Sequence, residues 1–293
     1  MTALPTQVDL HTHSNASDGT LTPTALLARA AERGVQVLAL TDHDTTYGLA
    51  EASAAARRHG VRFVSGIELS VQTEGKPLHI VGLSIDPNSA AIHSAAQRLN
   101  ALRTERAQAI ALRLEKLGFS GAYTGACGQA GRAYPGRPHF ARWLMTLGRF
   151  TDPSEVFDRL LSRGKAAYVA TEWPKMEDGV GAIRAAGGVA VLAHPTCYKL
   201  TATWLRRIAA MFQEAGGQGI EVVVARQSRD DLAFVTDIAR RYGLLGSVGS
   251  DFHSPGMHGP ELGTLPPLPP GIEPICQRLS EFIPPNTPSV VVQ

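Results

Sequence analysis

Short apolar, β-branched runs alternate along the chain with stretches whose apolar residues recur at helical spacing. This is the pattern of strands and crossover helices around a mostly parallel sheet. Seven runs read as strands: Val8–His13, Val35–Thr41, Arg62–Glu68, Leu78–Ile85, Val189–His194, Gly219–Val224 and Leu245–Asp251, with Tyr168 and Val169 as a short extra one. Helices fit between them. Thr22–Arg33 opens with Thr-Pro, a cap and first-turn pair, and stops at Gly34, while Tyr47–His59 stops at Gly60.

The third and fourth runs depart from this alternation. ELSVQTEGKPLHIVGL is two alternating segments joined by Glu74-Gly75-Lys76-Pro77, which reads as a hairpin that folds His79 back toward Glu68. A turn centred near Gly75 sets His79 opposite about Val71, three residues from Glu68, or roughly 10 Å along a strand at about 3.3 Å per residue.

From Ser89 to Leu117 the chain is continuous helix-former, with Ile92, Ala95, Leu99, Leu102, Ile110, Leu114 and Leu117 on one stripe and Gly118 as the stop. Phe119–Gly164 carries helical patterns and no strong strand. The expected organisation is therefore an α/β barrel whose first part is residues 1–98 and whose second part is residues 167–293. Residues 99–166 form a helical insertion that caps the substrate, and a proline-rich tail after Gly259 (PPLPPG, PPNTP) wraps the surface.

Composition constrains this picture without redirecting it. At 293 residues one domain with an insertion is sufficient, and 44% apolar and 18% charged residues are ordinary for a globular chain. A formal charge of +2 without a long Lys/Arg run argues against a grip on duplex DNA, so any anion site is a pocket. Cys127, Cys197 and Cys276 are odd in number and contain no CxxC pair, which favours a reducing compartment. The start lacks a signal-peptide pattern and no apolar run is long enough to span a bilayer, so the expected location is cytoplasmic, away from membranes.

The chemistry concentrates at strand ends. Six of the ten histidines, His11, His13, His43, His79, His194 and His253, lie at a predicted strand end or in the hairpin. In DLHTHS the period of two puts His11 and His13 on one face of a strand, suited to gripping one ion. Asp18 follows in SDG, His43 in TDHD, Glu68 in GIEL and Asp251 in SDFH. A lone strand-end histidine is more often a hydrogen-bonded core residue, and SDG alone is usually a turn. Together they would bury several carboxylates and imidazoles at one mouth, where unpaired charge costs several kcal/mol per ion, and bound metal resolves that. Mixed imidazole and carboxylate donors without thiolate suit Mn²⁺, Zn²⁺ or Fe²⁺.

These segments, DLHTHSNASDGTLTP, ALTDHDTTYG, GIELS, HIVGL, AHP and GSDFH, resemble in order the motifs of the polymerase and histidinol phosphatase (PHP) family of metal-dependent phosphoesterases, within the amidohydrolase superfamily. The resemblance implies an α/β fold, a distorted (β/α)7 barrel holding two or three divalent ions, Mn²⁺ foremost. On that pattern His11, His13, Glu68 and Asp251 hold one ion, and Glu68 bridges to a second held by His79 and His194. Asp18, His43 and His253 hold the third. The insertion segments GRPHFAR (136–142), GKAAYV (164–169) and AHPTCYKL (193–200) are similar to the branch that acts on nucleoside 3′,5′-bisphosphates such as pAp and on the 5′ ends of short RNA. Many relatives have His-Pro-Gly-Arg-Tyr where this chain has His194-Pro195-Thr196-Cys197-Tyr198.

The residues themselves fit a nucleotide phosphatase. Arg137, rigidly flanked by Gly136 and Pro138, can fork onto a phosphate, its alternative being a surface salt bridge. His139, Asn15, Lys165 and Tyr198 are further candidates for the substrate pocket, and Tyr168 and Trp173 offer faces for base stacking. Arg106 sits on the apolar stripe of the long helix, aimed at the site or snorkelling. His194 or His253 would assist the leaving ribose oxygen, and Arg137 would stabilise the reacting phosphoryl group; metal-activated water makes a covalent phosphoenzyme unnecessary. Two other readings compete: histidinol-phosphate phosphatase, and a non-catalytic metal-stabilised binding module.

Overall fold

A computed structural model of the chain describes residues 7–131, 134–256 and 261–279. Seven strands form one sheet in chain order: β1 (Val8–Asp9), β2 (Val37–Leu40), β3 (Arg62–Thr73), β4 (Lys76–Leu83), β5 (Val189–Leu192), β6 (Gly219–Val224) and β7 (Leu245–Gly249). Neighbours are parallel except that β4 runs against both β3 and β5. The edges meet: Leu10 N–H donates to Val248 O at 2.9 Å, and Thr12 bridges Phe252. The sheet is thus a nearly closed, distorted (β/α)7 barrel. β1 is shorter than the sequence pattern predicts, although the chain from Leu10 to His13 continues beside the end of β7, with His13 N–H donating to Phe252 O and Asp251 N–H to His11 O.

Both faces of the sheet are buried, as a barrel wrapped in helices requires. Val37 and Ala39 point inward with Leu10, Val64, Val81, Leu83 and Val191, while Leu38 and Leu40 point outward with Ile67, Leu69, Ile80 and Leu192. The outer face is covered by α1 (Pro23–Glu32), α2 (Leu49–His59), α7 (Met176–Ala185), α8 (Ala202–Glu214) and α9 (Arg229–Arg241). Thr22 caps α1, its hydroxyl accepting from Ala25 N at 3.1 Å, with Pro23 in the first turn as its sequence indicates. α2 starts two residues later than the pattern predicts and ends at Gly60, whose φ of 68° is a left-handed cap suited to glycine.

The β3–β4 hairpin turns at Glu74 and Gly75 with Thr73 opposite Lys76, so His79 pairs with Ser70 and Val71 pairs with Leu78. This corrects the expected register by one residue. The difference decides the site, because side chains alternate faces: opposite Val71, His79 would point out toward the helices, whereas opposite Ser70 it shares the inner face with Glu68.

α3 (Ala90–Lys116) spans two hydrophobic clusters. Ile92 and Leu99 pack on the barrel, while Ala107, Ile110, Ala111 and Leu114 join a second cluster with α4 (Ala122–Ala130), α5 (Arg137–Thr146) and α6 (Pro153–Val156), which runs into a π-type turn at Phe157–Leu161. Leu117, expected on the buried stripe, is 43% exposed. Tyr168 and Val169 form no strand: Tyr168 N–H turns back to Lys165 O, and Arg113 reaches the Tyr168 carbonyl. The tail does more than wrap the surface. Ile275 and Cys276, in a short 3-10 turn at Ile275–Arg278, are buried and plug the bottom of the barrel. The PPNTP segment and His258 lie outside the described residues.

Candidate metal centre

The inward-facing positions at the opposite end of the barrel carry imidazoles and carboxylates. His11 and His13 follow β1, His43 follows β2, Glu68 is in β3, His79 in β4, Glu221 in β6, and His194, Asp251 and His253 follow β5 and β7. All nine residues expected as metal ligands converge here. His11, His13 and Glu68 are wholly buried, and Asp18 and His194 nearly so. Asp44, His194 and Asp251 adopt positive φ values of 54°, 26° and 55°. Left-handed backbone at three non-glycine residues costs of order 1–3 kcal/mol each and is held here by the surrounding packing.

Three groups of donors share this space. His11 Nε2 and His13 Nε2 face each other at 3.0 Å, each 3.3 Å from Glu68 Oε2, and Asp251 Oδ1 lies 3.4 and 3.1 Å from them. Glu68 Oε1 stands 2.9 Å from His79 Nδ1 and 3.0 Å from His194 Nε2, which are 3.4 Å apart. Asp18 lies 3.2 Å from His253 Nε2 and 3.8 Å from both His13 Nδ1 and His43 Nε2. His43 Nδ1 also stands 2.9 Å from Glu68 Oε2, without hydrogen-bond alignment.

This donor set fits divalent metal. Ligand atoms about 2.0–2.2 Å from a tetrahedral ion are separated by about 3.3–3.6 Å, close to the spacing in the first group. Without an ion, the 3.0 Å contact between the two imidazole nitrogens requires one ring to donate its Nε2 proton to the other, whereas an ion accepts both lone pairs. Glu68 Oε2 and the Nδ1 atoms of His13, His43 and His194 are buried without any hydrogen bond, an accumulation that native interiors rarely tolerate.

The charges are tightly coupled. Burial alone would raise Glu68, yet the imidazoles of His43, His79 and His11 hold it well below the usual carboxylate range. Burial, helped by His253 and His43, pushes His13 down to about 3. Burial opposes charge on His253 too, but Asp18 and Asp251 outweigh it and raise this imidazole to about 10.

Around the donors lies a layer that sequence reasoning missed. Glu221 Oε1 accepts from His11 Nδ1 at 2.7 Å, and its other oxygen accepts from the His194 backbone N–H at 2.5 Å. Gly249 makes room for this: a Cβ there would sit 2.4 Å from His11 Cβ and 2.6 Å from Glu221 Oε1. Asp42 accepts from Ser14 N, Ser14 Oγ and Ser17 Oγ, fixing the loop that carries Asp18. Asp44 accepts from Ser70 N at 2.7 Å and pairs with Arg103 at 2.5 Å, tying the end of β2 to β3 across His43 and Glu68. The signals were present: Glu221 is the one charge in GIEVVV, and both aspartates flank His43 in TDHD.

Beside the donors opens a cavity of about 250 Å³ lined by Asp18, His43 and His79 at its floor. Arg103, Arg106, Arg137 and Arg163 line its walls with Phe157, Tyr168 and Trp173. The guanidinia of Arg103 and Arg106 lie 5.6 and 5.7 Å from the Trp173 ring centre, and that of Arg137 lies 5.9 Å from Phe157.

Four residues expected in the substrate pocket stand elsewhere or are otherwise engaged. Asn15 is exposed and lines a separate hollow with Tyr47 and Arg142, and Lys165 is exposed and not among the residues lining the arginine cavity. His139 is buried, its Nδ1 accepting from Gly136 N at 2.9 Å as a cap on α5. The Tyr198 hydroxyl is engaged by the backbone, accepting from His79 N–H and donating to Ala193 O, each at 2.9 Å. Thr196 and Cys197 lie in the 3-10 turn at Pro195–Tyr198, and partial desolvation of the thiol followed by the Asp251 charge raises it, so it is no ready nucleophile.

Comparison with known proteins agrees with this geometry. Residues 9–120 match the PHP domain family model. The chain is 45% identical over 277 residues to a 3′,5′-nucleoside bisphosphate phosphatase of Chromobacterium violaceum, spanning 94% of this chain and 97% of that one. It is 42% identical over 247 residues to a 5′-3′ exoribonuclease of Haemophilus influenzae, spanning 84% and 90%. Among solved structures, a Chromobacterium violaceum amidohydrolase with bound sulfate and no metal superposes with a TM-score of 0.87 at 44% identity, covering 93% of this chain and 95% of that one. With this likeness over nearly its whole length, the chain belongs to the PHP-domain family of metal-dependent hydrolases.

Proposed function

We propose that this protein removes the 3′-phosphate from nucleoside 3′,5′-bisphosphates such as pAp, yielding a nucleoside 5′-monophosphate and phosphate. The observation that carries the reading is the arginine and aromatic cavity opening directly onto the three donor groups. The bisphosphate phosphatase relative, similar from end to end, supports it. Trimming of short 5′-phosphorylated RNA from its 5′ end is a second use of the same site, favoured by the exoribonuclease relative. Both substrates present a 5′-phosphate followed by a 3′-phosphoryl group.

His11, His13, Glu68 and Asp251 would hold one ion. Glu68 would bridge to a second with His79 and His194, and Asp18, His43 and His253 would hold a third, with His13 Nδ1 turned toward that group as well. Mn²⁺ is the first choice and Zn²⁺ or Fe²⁺ the alternatives, since the donors are imidazole and carboxylate without thiolate. Bound there, divalent ions would neutralise phosphoryl oxygens and lower the pKa of a water.

The chain's own residues do the rest. Glu221 and Tyr198 hold His11, His79 and the His194 backbone in place. The cavity, roofed by the 99–166 insertion, orients the nucleotide and excludes bulk water, and Trp173 or Tyr168 offers a face for the base. The departing ribose oxygen needs a proton; with only the first two ions held, His253 keeps its proton and is better placed than His194 to supply it, with 24% of its side chain exposed against 11%. No helix among the described residues is long and apolar enough to cross a membrane, and three unpaired cysteines support a reducing, cytoplasmic setting.

Metal-replete protein assayed for phosphate release from pAp, AMP, histidinol phosphate and a 5′-phosphorylated dinucleotide tests the reading. Preference for pAp is expected. Preference for histidinol phosphate would refute it, and inactivity on all four would favour the binding module.

A further inference from the structure

α5 serves two neighbours. Phe140, Ala141, Trp143 and Leu144 pack into the insertion's own hydrophobic cluster. His139 and Arg142, three residues apart and so on one side of the helix, instead meet the barrel loop of residues 14–20. Arg142, half-buried, donates from Nη1 to the Asp18 carbonyl at 3.0 Å. His139, only 2% exposed, accepts from Gly136 N at Nδ1, so Nε2 carries the proton and turns it to the Ser17 carbonyl. Burial lowers the Arg142 guanidinium, and the nearby Asp18 carboxylate opposes that shift.

That loop is where the third donor group differs from the other two. His13 also belongs to the first group and His43 to the second, so Asp18 and His253 are the donors that the third group alone uses. The loop carries Asp18, and its Thr20 N–H donates to the His253 carbonyl at 2.8 Å. On the barrel side Asp42 fixes it by accepting from Ser14 and Ser17. α5 holds it from the other side. Among the described residues no hydrogen bond or ion pair links His139 or Arg142 to His11, Glu68, His79, His194 or Asp251. Metal–ligand distances tolerate only about 0.2 Å, so a small shift of this loop removes the third set of donors and leaves the other two intact.

We infer that the insertion, through the hold of α5 on this loop, determines whether the third ion is bound, with Arg142 as the main positioning residue and His139 as the second. This rests on the three-group metal centre of the phosphatase reading above. The insertion then serves the metal centre as well as the substrate, and loosening α5 releases one ion while the other two stay.

Mn²⁺ titrated into metal-free protein, with the free ion followed by electron paramagnetic resonance, counts the binding steps, and Asp18→Asn marks which step belongs to the third group. The parent should take up three ions. Arg142→Ala, first shown to melt like the parent, should weaken that third step by about 10- to 100-fold, the range for groups that orient ligands from behind, and leave the other two unchanged. Arg142→Lys, which keeps the charge and a donor, should show a smaller loss of the same ion, and it carries the test if the alanine variant does not fold. Hydrogen exchange in metal-free protein adds a readout without metal: the Gly19 and Thr20 amides, which donate to Ser14 O and His253 O, should exchange faster in Arg142→Ala. Three ions held by Arg142→Ala with parental affinity overturn the proposal. So does an equal weakening of all three, which would mean that Arg142 only supports the fold. A parent that binds only two ions, indistinguishable from Asp18→Asn, would refute the third donor group itself, and the proposal would fall for that separate reason.

Discussion

Glu221 Oε1 lies 2.7 Å from His11 Nδ1, deep in the barrel, joining residues 210 positions apart in the chain. The contact holds the Nδ1 proton of His11 toward the carboxylate and leaves the Nε2 lone pair facing His13, Glu68 and Asp251. A carboxylate behind a ligating imidazole orients the ring and raises its basicity. Replacing Glu221 by Gln should therefore weaken metal binding by about 10- to 100-fold without removing a donor atom. Competition against a chelator of known affinity measures this, and unchanged metal retention would remove Glu221 from the centre.

Loss of a donor should be more severe. His13→Ala and Asp251→Ala each delete an atom from the tightest donor group and should lower turnover on pAp by orders of magnitude at saturating metal. Near-parental kcat in either metal-replete variant would contradict the ligand assignment.

Metal binding should be linked to protons with a definite sign. In metal-free protein His253 is raised to about 10, chiefly by Asp18 and Asp251 once burial is overcome. Its ion pairing thus stabilises the metal-free fold fully below the ordinary imidazole value of about 6.5, and is lost as pH rises through the folded value. A metal ligand must be neutral, so binding displaces this proton and apparent affinity should climb with pH until the folded value of about 10 is passed. Calorimetry near neutral pH in two buffers of different ionisation heat should register release of about one proton at this site. Identical heats in both buffers would be the contrary result.

Tyr198 distinguishes a framework role from substrate binding. Its hydroxyl bridges His79 N–H and the Ala193 carbonyl, so Tyr198→Phe removes two partly buried hydrogen bonds and should cost about 1–3 kcal/mol of stability. Thermal melting gives the loss. KM for pAp should change little; a large rise in KM with unchanged melting would return Tyr198 to the substrate pocket.

The chain by itself determined the alternation of strands and helices, the hairpin, and the nine donors, because each is a local pattern: apolar periodicity, a turn at Glu74-Gly75, and histidine or carboxylate placed where a strand ends. Tertiary structure decided what those residues face. A one-residue difference in register turned His79 from the helix layer to the inner face, and no local signal distinguishes Ser70 from Val71 as its partner. Glu221, Asp44 and Arg103 escaped notice because their roles are contacts with residues remote in sequence, 210 positions away for Glu221 and 59 for the Arg103–Asp44 pair. Lys165 and Asn15 have suitable chemistry, but barrel closure and the packing of the insertion leave them exposed, away from the arginine cavity. The reason is physical: side-chain periodicity fixes a face within an element, whereas which faces share a cavity depends on sheet closure and packing, to which every element contributes.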